Sequence, residues 1–165
     1  MSSPLTDWTK AQFSALYAPT NVQDPEHAPV DQAAQLQTDF DATFSPDADI
    51  RLNHTVVDRE KFKEFVKSRR SLTAQVECRP EDLIETPVEG GNAEAGSIVA
   101  GKVTLVRTYP FRIRAAAAKT STVIIFSAKI QPNPKPQIVQ LFQTSVDKSF
   151  QINLPTARHV DASEL

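Results

Sequence analysis

The sequence predicts an α+β domain in which three N-terminal helices cover one face of a mainly antiparallel sheet. Three observations carry this. Segments 6–17, 30–44 and the stretch after Asp58 place apolar side chains three and four positions apart, the spacing of one helical face. From Leu72 onward apolar and polar residues alternate, the spacing of strands. The β-rich segments 97–109, 119–131 and 137–148 then follow one another through short connectors, as in a meander whose apolar face needs a cover.

The first helix is TDWTKAQFSALY, with Thr6 or Asp7 as cap and Trp8, Phe13, Leu16 and Tyr17 near one face. A polar connector (21–29) leads to a second helix from about Val30 to Phe44, built on Ala33, Leu36, Phe40 and Phe44 and stopped by Pro46. ADIRLN (48–53) alternates and reads as a short strand. The third helix has the best local signal. Asp58 is the N-cap, Val57 and Phe62 form a hydrophobic staple, and Lys67, Arg69 and Arg70 suit the negative C-terminal end. Leu72, Ala74, Val76 and Cys78 alternate next, and DLIETPVE continues or pairs with that strand. GGNAEAG (90–96) is a turn, and PFRIRAAAA and PNPKP are connectors. Residues 1–148 are expected to form one domain and 149–165 a poorly ordered tail.

Composition excludes more than it selects. The formal net charge is −2, so overall charge argues for neither nucleic acid nor a membrane surface. Cys78 is the single cysteine, which rules out an intramolecular disulfide and a multi-cysteine metal site. His27, His54 and His159 are scattered without metal-ligand spacing, so no metal and no cofactor are expected. MSSPLTDWTK lacks the basic and apolar regions of a secretory signal, and no window has the roughly 18 apolar residues of a membrane span. The expected location is cytoplasmic, with the nucleus accessible at this size.

The phrase FSPDADIRLNHTVVDREKFKEFVKSR, a helix end followed by a short strand and an acid-capped helix, resembles the nuclear-transport-factor-2-like (SnoaL-like) superfamily, in a fungal-type branch. The resemblance spans roughly residues 6–148. It implies a cone: a curved antiparallel sheet wrapped around three N-terminal helices, enclosing a mostly apolar pocket. It does not choose a function, because members include isomerases, dehydratases, cyclases, carriers and adaptors.

Within that resemblance Tyr17 is placed to donate a hydrogen bond into the cone, as a tyrosine does in the ketosteroid-isomerase relatives; the alternative is a tyrosine that only closes the helix face. Where those relatives carry a carboxylate base, this chain has Leu52, Asn53 and His54. His54 can serve as base in its place, or be an ordinary loop histidine. Trp8, Phe13, Tyr17, Asn53, His54 and Arg107 are the candidate ligand-binding set, and His54 with Tyr17 the candidate catalytic pair. Cys78 reads as a small core residue.

Charge is segregated along the chain. From Gly101 to Val146 there is no Asp or Glu, while residues 81–94 hold five acids and no base. Internal pairing, a protein-contact surface, and an anionic ligand at Arg107 or Arg112 all fit. Nucleic acid fits least, since the basic strands carry few aromatics. Three functions follow: binding of a small apolar or amphipathic molecule, isomerase- or dehydratase-type catalysis by His54 and Tyr17, and protein interaction. A homodimer through the open sheet face is expected, with Ile124, Phe126 and Ile130 on one face and Val139 and Leu141 on another.

Overall fold

A computed structural model describes residues 4–18, 32–71, 73–90, 95–113, 116–132 and 134–149, and structural statements concern these. Helices α1 (Pro4–Tyr17), α2 (Gln32–Thr43) and α3 (Arg59–Arg70) pack on one side of a curved, unclosed sheet. Its strands are β1 (Phe44–Leu52), β2 (Thr55–Val57), β3 (Gln75–Pro87), β4 (Ser97–Ile113), β5 (Ala116–Gln131) and β6 (Gln137–Lys148). Their order is β2-β1-β6-β5-β4-β3. His27, His159 and the tail beyond Ser149 lie outside the described residues.

β3 to β6 form the expected antiparallel meander. The sheet as a whole is mixed, because β1 runs parallel to β6. That seam joins residues some 90 positions apart through a crossover, and no local pattern signals it. Register shifts interrupt β3/β4, β4/β5, β5/β6 and β1/β6, and such bulges bend strands. Pro46 lies inside β1 rather than after a helix. It falls where the β1/β6 register breaks, so its missing N–H leaves no ladder bond unmade. The expected connector PFRIRAAAA is largely strand: after a bulge, Arg112 pairs with Ala117 and Ile113 with Ala116.

The core joins the helices to the sheet. Phe40, Phe44 and Phe62 meet with ring centroids 4.7 to 6.1 Å apart, tying α2, β1 and α3 together. Phe13 of α1 lies 4.6 Å from Phe126 of β5. Asp58 caps α3 as expected, its Oδ1 accepting from Lys61 N at 2.7 Å. Arg59 bonds to Asp41, holds that carboxyl below the usual carboxylate range, and lies over the Phe40 ring. Among the described residues no helix is long and apolar enough to cross a membrane.

Candidate functional site

Strand alternation sorts the long strands into two faces. Ile124, Phe126, Ala128 and Ile130 of β5 are buried and point to the helices, the side fixed by the Phe13–Phe126 contact. Leu141 and Gln143 of β6 pair with Ala128 and Phe126 and point the same way. The expectation that Ile124, Phe126 and Ile130 lie on one face and Leu141 on another is therefore corrected: all four line the inner one. Val139 sits at the β5/β6 register shift. An unseen bulge of this kind prevents face assignment by counting.

Tyr17, Phe13 and Arg107 also point inward. Phe13 and Tyr17 are 2 % and 1 % exposed, and Trp8 is half-buried against the same core. Tyr17 Oη lies beside the Gln143 amide without closing a well-formed hydrogen bond. Neither that oxygen nor either Gln143 amide atom touches a space that admits water.

Arg107 bonds to Thr122 Oγ1 at 3.1 Å and lies 3.5 Å from Asp147, whose carboxylate also takes Thr122 Oγ1 at 2.6 Å and Arg69 at 3.1 Å. The acid that neutralises Arg107 thus stands one residue beyond the acid-free stretch. Arg69, its guanidinium 3.6 Å over the Phe65 ring, belongs to the same rim network. The charge segregation is resolved in part by internal pairing, with Lys102 2.8 Å from Glu81 across β3 and β4. Cys78 packs half-buried against the core, where burial pushes its thiol up. Among the described residues no three or more His, Cys, Asp or Glu gather as a metal set.

Burial also pushes the Tyr17 phenol up, well above its ordinary range. The folded chain then keeps a proton that the unfolded chain loses above about pH 10. This contribution to stability is intact below that pH and declines as pH rises beyond it. Tyr17→Phe is expected to fold with stability within about 1 kcal/mol of the parent at pH 7. Its stability is expected to fall less steeply above about pH 10, as read by urea unfolding at neutral and alkaline pH.

Asn53 and His54 occupy a two-residue turn between β1 and β2, with φ of 50° and 67°. Positive φ at both central residues is the hairpin geometry that asparagine tolerates well. Asn53 also ties the turn to β6: its N–H donates to Gln143 O at 2.8 Å and its Oδ1 accepts from Ser145 N at 2.9 Å. His54 is exposed and turns to the opposite side of the sheet from Tyr17. There it lines an open pocket of about 360 Å³ with Arg51, Ile125, Phe126, Ser127, Phe142, Gln143 and Thr144. The structure does not bring His54 and Tyr17 together; the sheet lies between them.

The pocket belongs to a larger apolar surface. Val56, Arg51, Phe142, Ser127, Ala100 and Ile84 form one cross-strand row on this outer face. Ile125 and Val146 lie on neighbouring rows. Among the described residues six large hydrophobics are exposed, and Val56, Ile84, Ile125, Phe142 and Val146 all sit on this one face; Phe111 is the sixth. Arg51 lies over the Phe142 ring at 5.3 Å. The alternation of Phe142 and Val146 with buried residues is visible in the sequence once the inner register is known. Without it the two faces cannot be told apart, because both are apolar.

Sequence comparison gives no match to any protein-family model or curated protein. Comparison of structures does. Mtr2 of Candida albicans has TM-score 0.58 and 10% identity over 90% of this chain and 96% of that one. In the complex of Mtr2 with the Mex67 M domain, the likeness is TM-score 0.56 and 9% identity, over 89% and 95%. A candidate scytalone dehydratase from Novosphingobium aromaticivorans gives 0.51 and 8%, over 74% and 80%. AclR of Streptomyces galilaeus, a candidate hydroxylase, gives 0.50 and 10%, over 86% and 90%. The chain has the nuclear-transport-factor-2-like (SnoaL-like) fold. At these identities the likeness concerns the fold, and the fold houses enzymes and non-enzymes alike.

Proposed function

We propose that this chain is a protein-interaction module that receives a folded partner on the outer face of its sheet. The carrying observation is the distribution of apolar surface: five of the six exposed large hydrophobics crowd one face. A patch of this kind on a folded protein marks a contact site, and such sites have an apolar centre with a polar rim. Two further points support the reading. On the inner side the polar atoms of Tyr17 and Gln143 are closed off from water. The edge strand β3 carries Pro80, Pro87 and charged residues, which disfavours partner binding by strand addition and leaves the face. Mtr2, a structural neighbour, is seen in a complex with the Mex67 M domain.

The test is Ile125→Asp combined with Phe142→Asp. Both side chains point outward, so thermal stability is expected to stay near that of the parent. Binding of the co-purifying partner is expected to weaken by at least about 100-fold, the scale of hot-spot loss. Undiminished binding at equal stability would contradict the reading.

The pocket supports a second reading, the small apolar or amphipathic ligand. Its volume lies in the lower range for ligand sites, and it offers an apolar floor beside Arg51 and His54. Native mass spectrometry of the purified chain distinguishes the two: a retained small molecule, displaced in Phe142→Asp, favours the ligand. A paired His54–Tyr17 acid and base gains no support from this geometry.

A further inference from the structure

We propose that the partner is a different protein from this chain, with a surface apolar at its centre and acidic at its rim. This rests on the interaction reading above and names the chemistry of its partner. At the paired positions of the outer face, Arg51, Arg79, Lys102, Arg112, Lys119, Lys129 and Lys148 are basic, whereas Asp49, Glu77 and Glu81 are acidic. The acids are already engaged. Glu81 takes Lys102 at 2.8 Å, Glu77 takes Arg79 through two bonds of 2.8 Å, and Asp49 lies 4.0 Å from Arg51 and accepts from Gln140 at 3.2 Å. The surplus is Arg112, Lys119, Lys129 and Lys148, of which Lys129 and Lys148 flank the Ile125–Phe142–Val146 centre on β5 and β6.

Two copies brought face to face would set one surplus against the other. Like charges at an interface are costly and select against wrong partners. A partner with Asp and Glu opposite the lysines gains steering and register from the same arrangement. The pocket beside Arg51 and Phe142 then takes one apolar anchor side chain of that partner. Nucleic acid fits poorly: the one aromatic exposed among the face's β5 and β6 residues is Phe142, and Arg51 already covers it.

The experiment combines self-association with site-directed cross-linking. Sedimentation of the full chain at about 0.05 and 0.5 M sodium chloride is expected to give a monomer at both. A photoreactive phenylalanine analogue in place of Ile125, used in extract of the source cells, is expected to cross-link to an Asp- and Glu-rich surface of one folded protein. With that protein purified, affinity is expected to fall about 10-fold between the two salt concentrations. It is expected to fall about 100-fold in the Lys119→Glu/Lys129→Glu/Lys148→Glu variant, if that variant melts like the parent. A dimer in sedimentation, a cross-link to a second copy, or a partner surface lacking acids would overturn the proposal while leaving the interaction reading intact. Cross-links to RNA, or flotation with phosphatidylserine vesicles, would overturn both. So would the absence of any cross-link from a folded variant.

Discussion

Phe62→Ala is expected to cost about 3–5 kcal/mol, the scale for removing a fully buried phenylalanine. Phe62 is 2 % exposed and touches the rings of Phe40, Phe44 and Phe65. It is the point at which α3 is fastened to α2 and β1. Truncation leaves a void among rings that α2, β1 and α3 hold from three sides, so collapse around it is limited. Against a typical domain stability of about 5–15 kcal/mol, the variant stands near the edge of folding. Urea unfolding read by circular dichroism measures this. Phe142→Ala is the matched control: the same chemistry on the outer face, 41 % exposed, is expected to change stability by less than about 0.5 kcal/mol. A Phe142 variant as damaging as Phe62→Ala would mean that the outer face is part of the core.

Gly96→Ala is expected to be the second severe change. Gly96 immediately precedes β4 with φ of +88°, and its carbonyl accepts from Val88 N at 3.2 Å to close the β3–β4 connection. A Cβ there would be driven onto the backbone carbonyl oxygen of Ile130, an atom fixed in the β5 ladder. The left-handed backbone alone costs about 1–3 kcal/mol for a residue with a side chain, and the collision adds to it. Gly90→Ala separates the two effects. Gly90 has φ of +71° but open space around the Cβ position, so it bears the conformational cost without the clash. Equal stability losses at the two glycines would contradict the role assigned to the Ile130 contact.

Much of the fold was legible because its signals are local. The Asp58 cap, the apolar face of α3 and the bounds of β6 depend on neighbours a few residues apart, and they are found where expected. What was not legible depends on distance or on backbone irregularity. The parallel β1–β6 seam leaves no trace in either strand's composition. Pro46 reads as a helix stop, yet a break in register lets it sit within a strand. The apolar residues of β5 and β6 populate both faces, so alternation alone cannot say that Ile124 is inside and Ile125 outside. That ambiguity fell on the residues on which the proposed function rests. For Arg107, internal pairing and an anionic ligand stay open in the sequence, because Asp147 stands just past the acid-free stretch. Tyr17 and His54 were grouped by analogy of position along the chain, whereas the sheet separates them. Asn53 carries a signal that composition shows and position explains: asparagine suits the first place of a two-residue turn with positive φ.

The whole account depends on which side of the sheet is bare and which is filled. Methyl NMR of the isolated chain, with a soluble paramagnetic gadolinium chelate titrated in, reads this residue by residue. The methyl groups of Ile125, Val146 and Ile84 are predicted to broaden early, while those of Leu16, Leu105, Ile124 and Ile130 stay sharp. Early broadening of the second group with protection of the first would show an accessible hollow and a covered outer face, and would contradict the account.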